Sequence, residues 1–278
     1  MSKHLTLLAA GLIALGGLAG CNKAKENAQE AEEMTCIEFD KGDSLQHFEL
    51  SALLPMGQDS ASTAIRTELL ATLQAELQTW HSADESEGGT PMGIDDVKAR
   101  VEKCYDESHA ALVKEKEEYD LPFYAPYEWQ FKIDTLGQTD RYIVYSARGY
   151  QFTGGAHGGV IGRGCMTFDK ADGHVFADWI MDECDPGFLQ LVLEGIARYF
   201  SEAEEKTVAV DQLSDYLLEN PDYVHMPAEA PYPSAEGLVF TYQQYEIAPY
   251  AAGMPNFTIG YEQLMPYLTD KAKALLAL

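Results

Sequence analysis

Apolar residues recur in this chain with two periods, and the order in which those periods alternate limits the fold more than any other feature. In HFELSALL, Phe48, Leu50, Ala52 and Leu54 occupy every second position, the pattern of a strand with one buried face. Ile65, Leu69, Leu73, Leu77 and Trp80 then follow at spacings of four and three, a stripe along one side of a helix over about residues 63–80. Glycines 88 and 89 break the chain, and a second stripe through Ile94, Val97, Val101, Cys104 and Leu112 predicts another helix starting near Ile94. Beyond Pro122 the period of two returns. Trp129, Phe131 and Ile133 share one face, DTLGQTD reads as a loop, and RYIVYSARGYQF as a second, antiparallel strand.

That strand runs into TGGAHGG, residues 153–159, and then CMTFDKADGHVF, where Asp172-Gly173 marks a turn between strand-like runs. Asp185 followed by Pro186 predicts a capped helix whose Phe188, Leu189, Val192, Ile196, Tyr199 and Phe200 form a broad apolar face. Residues 211–218 read as one or two further turns. Leu238, Phe240 and Tyr242 alternate again, a loop bearing proline and glycine follows, a short strand returns at Phe257–Ile259, and a helix comes last. The expectation is an α+β protein with two antiparallel-sheet-plus-helix subdomains, rather than a βαβ series.

The N-terminus bears on location. Lys3 precedes an apolar run from Leu5 to Ala19, the plan of a secretion signal and shorter than the roughly 20 apolar residues of a membrane span. It ends Leu18-Ala19-Gly20-Cys21, small residues ahead of a cysteine, as a bacterial lipoprotein processing site requires. Residues 1–20 are therefore expected to be a lipoprotein signal peptide, Cys21 the lipidated residue, and residues 21–33 an acidic tether with almost no apolar content. Asn22 after the cysteine points to the outer membrane as destination. Loss of residues 1–20 leaves 18 basic against 45 acidic side chains, a formal charge of -27. Such a chain repels nucleic acid and speeds encounter with a cationic partner.

Four further cysteines, Cys36, Cys104, Cys165 and Cys184, make an even number outside the cytoplasm, which suggests two disulfides. Proximity in sequence favours Cys36–Cys104 and Cys165–Cys184, one of three connectivities, and the first pair gains from Cys104 facing inward on its helical stripe with Cys36 in the strand-like TCIEF. They would close loops of 69 and 20 residues, each worth about 3 to 4.5 kcal/mol on chain entropy.

Motifs for chemistry are sparse. TGGAHGG lacks the lysine and the following helix of a phosphate cradle. His157 has no partner at ligand spacing, and His47, His81, His109, His174 and His225 form no HxH or HExxH pair. No metal and no cofactor is expected. The chain has no G-x-S-x-G elbow and no S-x-x-K pair. FDKADG has the wrong acid spacing for an EF-hand, and MDECD at 181–185 reads as a loop plus helix cap. Paired carboxylates remain the one catalytic option. Tyr242, Tyr245, Tyr250 and Tyr261 surround the loop with proline and glycine and could present an aromatic surface to a sugar or a protein.

YQFTGGAHGG, then MTFDKADGHVF, and much later GLVFTYQQYEIAPYAAGMPNFTIGYEQL, resemble the paired domains of the RsiV-like and PdaC-like extracellular family, over about residues 34–270. Members of that family include the lysozyme-binding ectodomain of an anti-sigma factor and a non-catalytic region attached to a peptidoglycan deacetylase. The resemblance implies an N-terminal PdaC-like domain at 34–157 and a C-terminal RsiV-like domain at 158–278, with Gly154, Gly155, His157 and Gly158 shaping a glycine-rich crossing between them. Glycine suits such a bend because it tolerates positive φ. No anti-sigma segment or deacetylase domain is recognised here, so signal transmission and deacetylation are not carried over. The expectation is a cell-envelope binding module with no catalytic site, lipid-anchored through Cys21, whose partner is a basic protein such as lysozyme, or peptidoglycan. The alternative is a peptidoglycan-modifying hydrolase that uses acidic residues.

Overall fold

Strands form where the period of two was read, and their order follows from where the helices return the chain. The structure, a computed structural model, describes residues 33–80, 90–119, 126–154 and 159–278, so the expectations for residues 1–32, Cys21 included, lie outside the described residues. β1 (Met34–Gly42) and β2 (Gln46–Pro55) form an antiparallel hairpin. Asp43 closes its turn, its Oδ1 accepting from the amides of Leu45 at 2.7 Å and Gln46 at 3.2 Å. Helix α1 (Ser60–Trp80) begins a few residues before the apolar stripe. Asp59 accounts for the early start, because its carboxylate accepts from the Ser62 amide at 2.9 Å and the Ser62 hydroxyl at 2.6 Å, as a helix cap does.

Helix α2 (Val97–Tyr119) then leads to β3 (Tyr127–Gln138), which pairs with β2 in parallel. This corrects the expectation of a wholly antiparallel sheet. Helix α2 comes back to the beginning of β2: Gln46 donates through Nε2 to the Tyr105 carbonyl at 3.0 Å, the Ser108 hydroxyl donates to Gln46 Oε1 at 2.9 Å, and His109 pairs with Asp43 at 2.8 Å. β3 therefore starts at the same end of the sheet as β2. β4 (Tyr142–Phe152) and β5 (Val160–Asp169) complete a five-stranded sheet in chain order, both added antiparallel. Gln151 is paired with Val160, so the glycine-rich segment links two neighbouring strands of one sheet. The chain passes to the second sheet only after β5.

One face of this sheet is covered by α1 and α2. Phe48, Leu50, Ala52 and Leu54 from β2 pack with Trp129, Phe131 and Ile133 from β3 and with Ile65, Leu69, Leu73 and Leu77 from α1. Phe48 is the hub. Fully buried, its ring lies 5.3 Å from Trp80 of α1, 5.4 Å from Tyr105 of α2 and 5.1 Å from Trp129 of β3, the first two edge-on, the arrangement favoured by ring quadrupoles.

The second core lies under α3 (Pro186–Ala203), whose predicted cap is present: Asp185 Oδ1 accepts from Gly187 at 2.8 Å and Phe188 at 3.1 Å, with Pro186 first in the helix. β6 (Tyr232–Pro233), β7 (Gly237–Thr241) and β8 (Asn256–Gly260) make a three-stranded antiparallel sheet. Helices α4 (Tyr261–Leu264) and α5 (Asp270–Leu276) follow. α3 approaches β8 so closely that a Cβ on Gly195 would stand 2.1 Å from the Phe257 ring. The architecture is thus α+β, with two sheets and their helices, and residues Glu32–Leu278 form one compact unit.

No disulfide joins Cys36, Cys104, Cys165 and Cys184, against the expectation of two bridges. Strand phase is the reason for the first pair. On β1 it is Ile37 that turns toward the helices and is buried, so its neighbour Cys36 faces away and is exposed, close to Ser51. Cys104 is buried under the helices against the Leu77 carbonyl, on the other side of the sheet. For the second pair, Cys165 is buried on β5 while Cys184 is exposed in the turn before α3.

Two outcomes follow. In a native thiol assay Cys36 and Cys184 should react with a bulky disulfide reagent while Cys104 reacts only after unfolding, since burial, helped by Glu107, pushes its thiol up to about 12; protection of Cys36 and Cys184 under non-reducing conditions, lifted by reductant, would instead reveal a bridge. Phe48→Ala should destabilise the protein by about 3–5 kcal/mol in chemical denaturation.

Candidate functional site

The four tyrosines singled out in the sequence separate into two kinds. Tyr242 continues the buried face of β7 and is fully buried, its hydroxyl donating to the His225 carbonyl at 2.6 Å. Tyr261 donates to the Ser234 carbonyl at 2.8 Å and packs against the second core. Both are architectural. Burial raises both hydroxyls above the usual tyrosine value, Tyr261 to about 12.

Tyr245 and Tyr250 reach the surface together. Their rings lie 5.7 Å apart, inclined at 39°. Tyr245 is 56 % exposed and adopts φ 66°, a left-handed conformation that is costly for a bulky side chain and persists only where surrounding contacts enforce it. Glu246 supplies them. Its two carboxylate oxygens accept from the amides of Ala228 at 2.7 Å and Gln243 at 2.6 Å, and its own amide donates to the Gln243 carbonyl at 3.1 Å. The tip that carries Tyr245 is pinned on both sides.

Tyr250 ties this tip to the first sheet, its hydroxyl donating to the Gly159 carbonyl at 2.6 Å. Tyr150 of β4 lies on the same glycine, for a Cβ on Gly159 would stand 2.0 Å from its ring. Any larger residue at 159 would displace that ring. Desolvation, and to a lesser degree the neighbouring Glu128 and Tyr250, hold the Tyr150 hydroxyl above its ordinary value. Tyr127 of β3 stands near Gly154, which has φ 79°. Tyr150, Tyr245 and Tyr250 therefore form a pinned aromatic patch where the two sheets meet, beside the glycine-rich segment. Of that segment's marked residues, Gly154 is seen in a conformation that favours glycine; Gly155, His157 and Gly158 lie outside the described residues.

Other sequence candidates resolve into local structure. Asp182 accepts from the Cys184 amide at 2.9 Å, so MDECD is a turn and a helix cap. His47 pairs with Asp40 at 2.9 Å, and His225 donates through Nδ1 to the Met226 carbonyl at 2.6 Å. Among the described residues no group of three or more His, Cys, Asp and Glu could hold a metal ion, and no helix is long and apolar enough to cross a membrane. Two carboxyls were missed by sequence reasoning: desolvation raises Glu76 above the usual carboxylate range, and desolvation and then the charge of Glu246 raise Glu229. The space beside it, lined by Cys165, Tyr232 and Thr241, is about 10 Å³, room for about one water molecule and not for a sugar ring.

Parts of this chain are similar to known protein families. Residues 43–159 match a family described as Deacetylase PdaC, and residues 190–262 match a protein family of unknown function, DUF3298. Together they support a PdaC/DUF3298-like pair of domains. Among solved structures, a DUF3298 family member from Bacteroides fragilis is similar with TM-score 0.66 at 15% identity, covering 88% of this chain and 96% of that one. A DUF3298 family protein from Pseudomonas aeruginosa PAO1 is similar with TM-score 0.57 at 14% identity, covering 87% and 97%. At such identities the likeness is one of fold. No curated protein matches the sequence.

Tyr250→Phe removes the hydroxyl bond to Gly159 and should cost about 1 kcal/mol in thermal unfolding. The raised tyrosines also fix an alkaline limb. Between the ordinary tyrosine value of 10.0 and about 12 the folded protein keeps the Tyr261 proton that the unfolded chain loses. Stability should accordingly be unaffected by this group below pH 10 and fall as pH rises toward 12; a denaturation midpoint that Tyr261→Phe leaves equally pH-dependent would contradict it.

Proposed function

We propose that this protein is a non-catalytic binding module of the bacterial cell envelope, and that the patch of Tyr150, Tyr245 and Tyr250 is its contact surface. The observation that carries this reading is Tyr245: an exposed aromatic side chain projected by a strained backbone that a buttressing carboxylate holds in place. Rigid tyrosines give large contact area at low entropic cost, and strain kept at an exposed ring is better understood as serving a contact than as serving the fold. Anchoring would be through lipid, palmitate included, on Cys21, with the body held away from the membrane by residues 21–33 and delivery to the outer membrane.

The partner we favour is a cationic protein of the lysozyme type, a basic muramidase. The resemblance to a lysozyme-binding family supports it, and so does the formal charge of -26 on the whole chain, because complementary charge raises association rates. Peptidoglycan itself is the next candidate, since sugar rings stack on tyrosines. A peptidoglycan-modifying enzyme is the alternative class, and the family described as Deacetylase PdaC is what speaks for it.

Surface plasmon resonance with lysozyme at low and physiological salt tests the proposal. Binding is expected, faster at low salt, and Tyr245→Ala should weaken it roughly 30-fold, the size of an interface hot spot. Absence of binding at both salt concentrations would remove this partner. Release of acetate or soluble fragments from peptidoglycan by the pure protein would overturn the non-catalytic reading.

A further inference from the structure

Charge is unevenly spread along the second half of the chain. Between Lys206 and Lys271 it carries nine Asp and Glu residues and no Lys or Arg, so nothing basic within that stretch offsets its acids. One concave site is lined entirely from it. Glu219, Tyr223, His225 and Glu246 surround a pocket of about 60 Å³, with Leu217 and Ile247 as its apolar part. That volume is far below the roughly 300–1,000 Å³ of a small-molecule site, and it suits the tip of one long side chain.

Backbone bonds fix the pocket. The Leu218 amide donates to the Ile247 carbonyl at 2.9 Å, which joins its two segments. Pro221–Tyr223 form a 3₁₀ turn in which Asn220 Oδ1 accepts from the Asp222 amide at 2.9 Å and the Asn220 carbonyl from the Tyr223 amide at 2.9 Å. The backbone at Tyr223 is thereby held, while the residue itself is 72% exposed.

Acceptors outnumber donors on this lining. Among the described residues the Glu219 carboxylate has no hydrogen-bond or ion-pair partner. Glu246 spends one bond from each oxygen on the amides of Ala228 and Gln243, and a carboxylate has about four acceptor sites. His225 uses Nδ1 on the Met226 carbonyl, and in a neutral imidazole the other nitrogen then accepts. Of the lining side chains only the Tyr223 hydroxyl keeps a donor. Two carboxylates with no cation beside them favour an incoming positive charge.

We propose that this pocket receives the guanidinium of an arginine on the surface of a cationic partner. The planar group can lie against the Tyr223 ring while its N–H edges donate to Glu219 and Glu246. An ammonium offers donors but no flat face, and it is more strongly hydrated. Leu217 and Ile247 take the aliphatic stem. Because the Glu246 carboxylate also holds the Tyr245 tip, the pocket adjoins the tyrosine patch. Its use as a subsite for a muramidase rests on the function proposed above; capture of a guanidinium stands on the pocket alone.

The probe is N-acetyl-arginine methylamide, titrated into isotope-labelled full-length protein at constant ionic strength and followed by the amide shifts of residues 217–225 and 246. The citrulline analogue has the same shape without the charge, and the lysine analogue has the charge without the plane. The arginine probe should bind with a dissociation constant of about 5 mM, the citrulline probe at least about tenfold more weakly and the lysine probe about threefold more weakly. Glu219→Gln should weaken the arginine probe about fivefold and Tyr223→Leu about threefold, both with unchanged thermal midpoints because the two side chains are exposed. Equal shifts with citrulline, equal affinity for lysine, no shifts at these residues, or full affinity in Glu219→Gln would overturn the proposal. Binding of the arginine probe by a protein that ignores lysozyme would support the pocket and remove the muramidase; lysozyme binding without any response to the arginine probe would remove the pocket alone.

Discussion

The ring of Phe48 is where the first half of the protein is decided. It meets an aromatic residue from each of α1, α2 and β3, so both helices share it as a contact point on the sheet. The position also determines which strands are neighbours. With α2 bonded at Gln46 and Asp43, next to Phe48, the chain re-enters the sheet at the start of β2, and the parallel β2–β3 pair follows. β4 and β5 then extend the sheet away from the helices' entry point, with Tyr150 and Gly159 at one end of the pair and Arg141 and Lys170 at the other.

Function, on this view, sits at the margins of the two cores rather than inside either. Tyr245 is presented by a loop whose conformation Glu246 enforces, and Tyr250 fastens that loop to Gly159. Loops held by a rigid scaffold are where binding residues concentrate. The glycine-rich segment belongs to this arrangement as architecture: it joins two paired strands of the first sheet, and the glycine at 159 makes room for the Tyr150 ring.

Periodicity made the secondary elements legible, because a strand or helix with one buried face must repeat its apolar residues at 2 or near 3.6. It did not specify neighbours. Nothing in Phe48, Leu50 and Ala52 says that β3 will lie alongside in parallel, since that depends on where Tyr105 and His109 bring α2. The cysteines show a similar limit. Cys36 is one residue out of phase with Ile37, a difference too fine for proximity in sequence to resolve. Among the tyrosines the alternation Leu238, Phe240, Tyr242 carries the phase of a buried strand face, yet the sequence reading offers Tyr242 for the surface together with Tyr245; the structure buries the first and exposes the second. Glu219 and Glu246 stand on separate segments, and only the fold brings them to one pocket.

The most direct measurement is amide hydrogen exchange of the purified protein with and without a saturating cationic muramidase. Added protection confined to residues 243–250 and to the amides around Tyr150 is the expected result, because that is where the pinned aromatic rings meet solvent. Unchanged exchange throughout those residues, with protection elsewhere or nowhere, would contradict the assignment of the tyrosine patch as the contact surface.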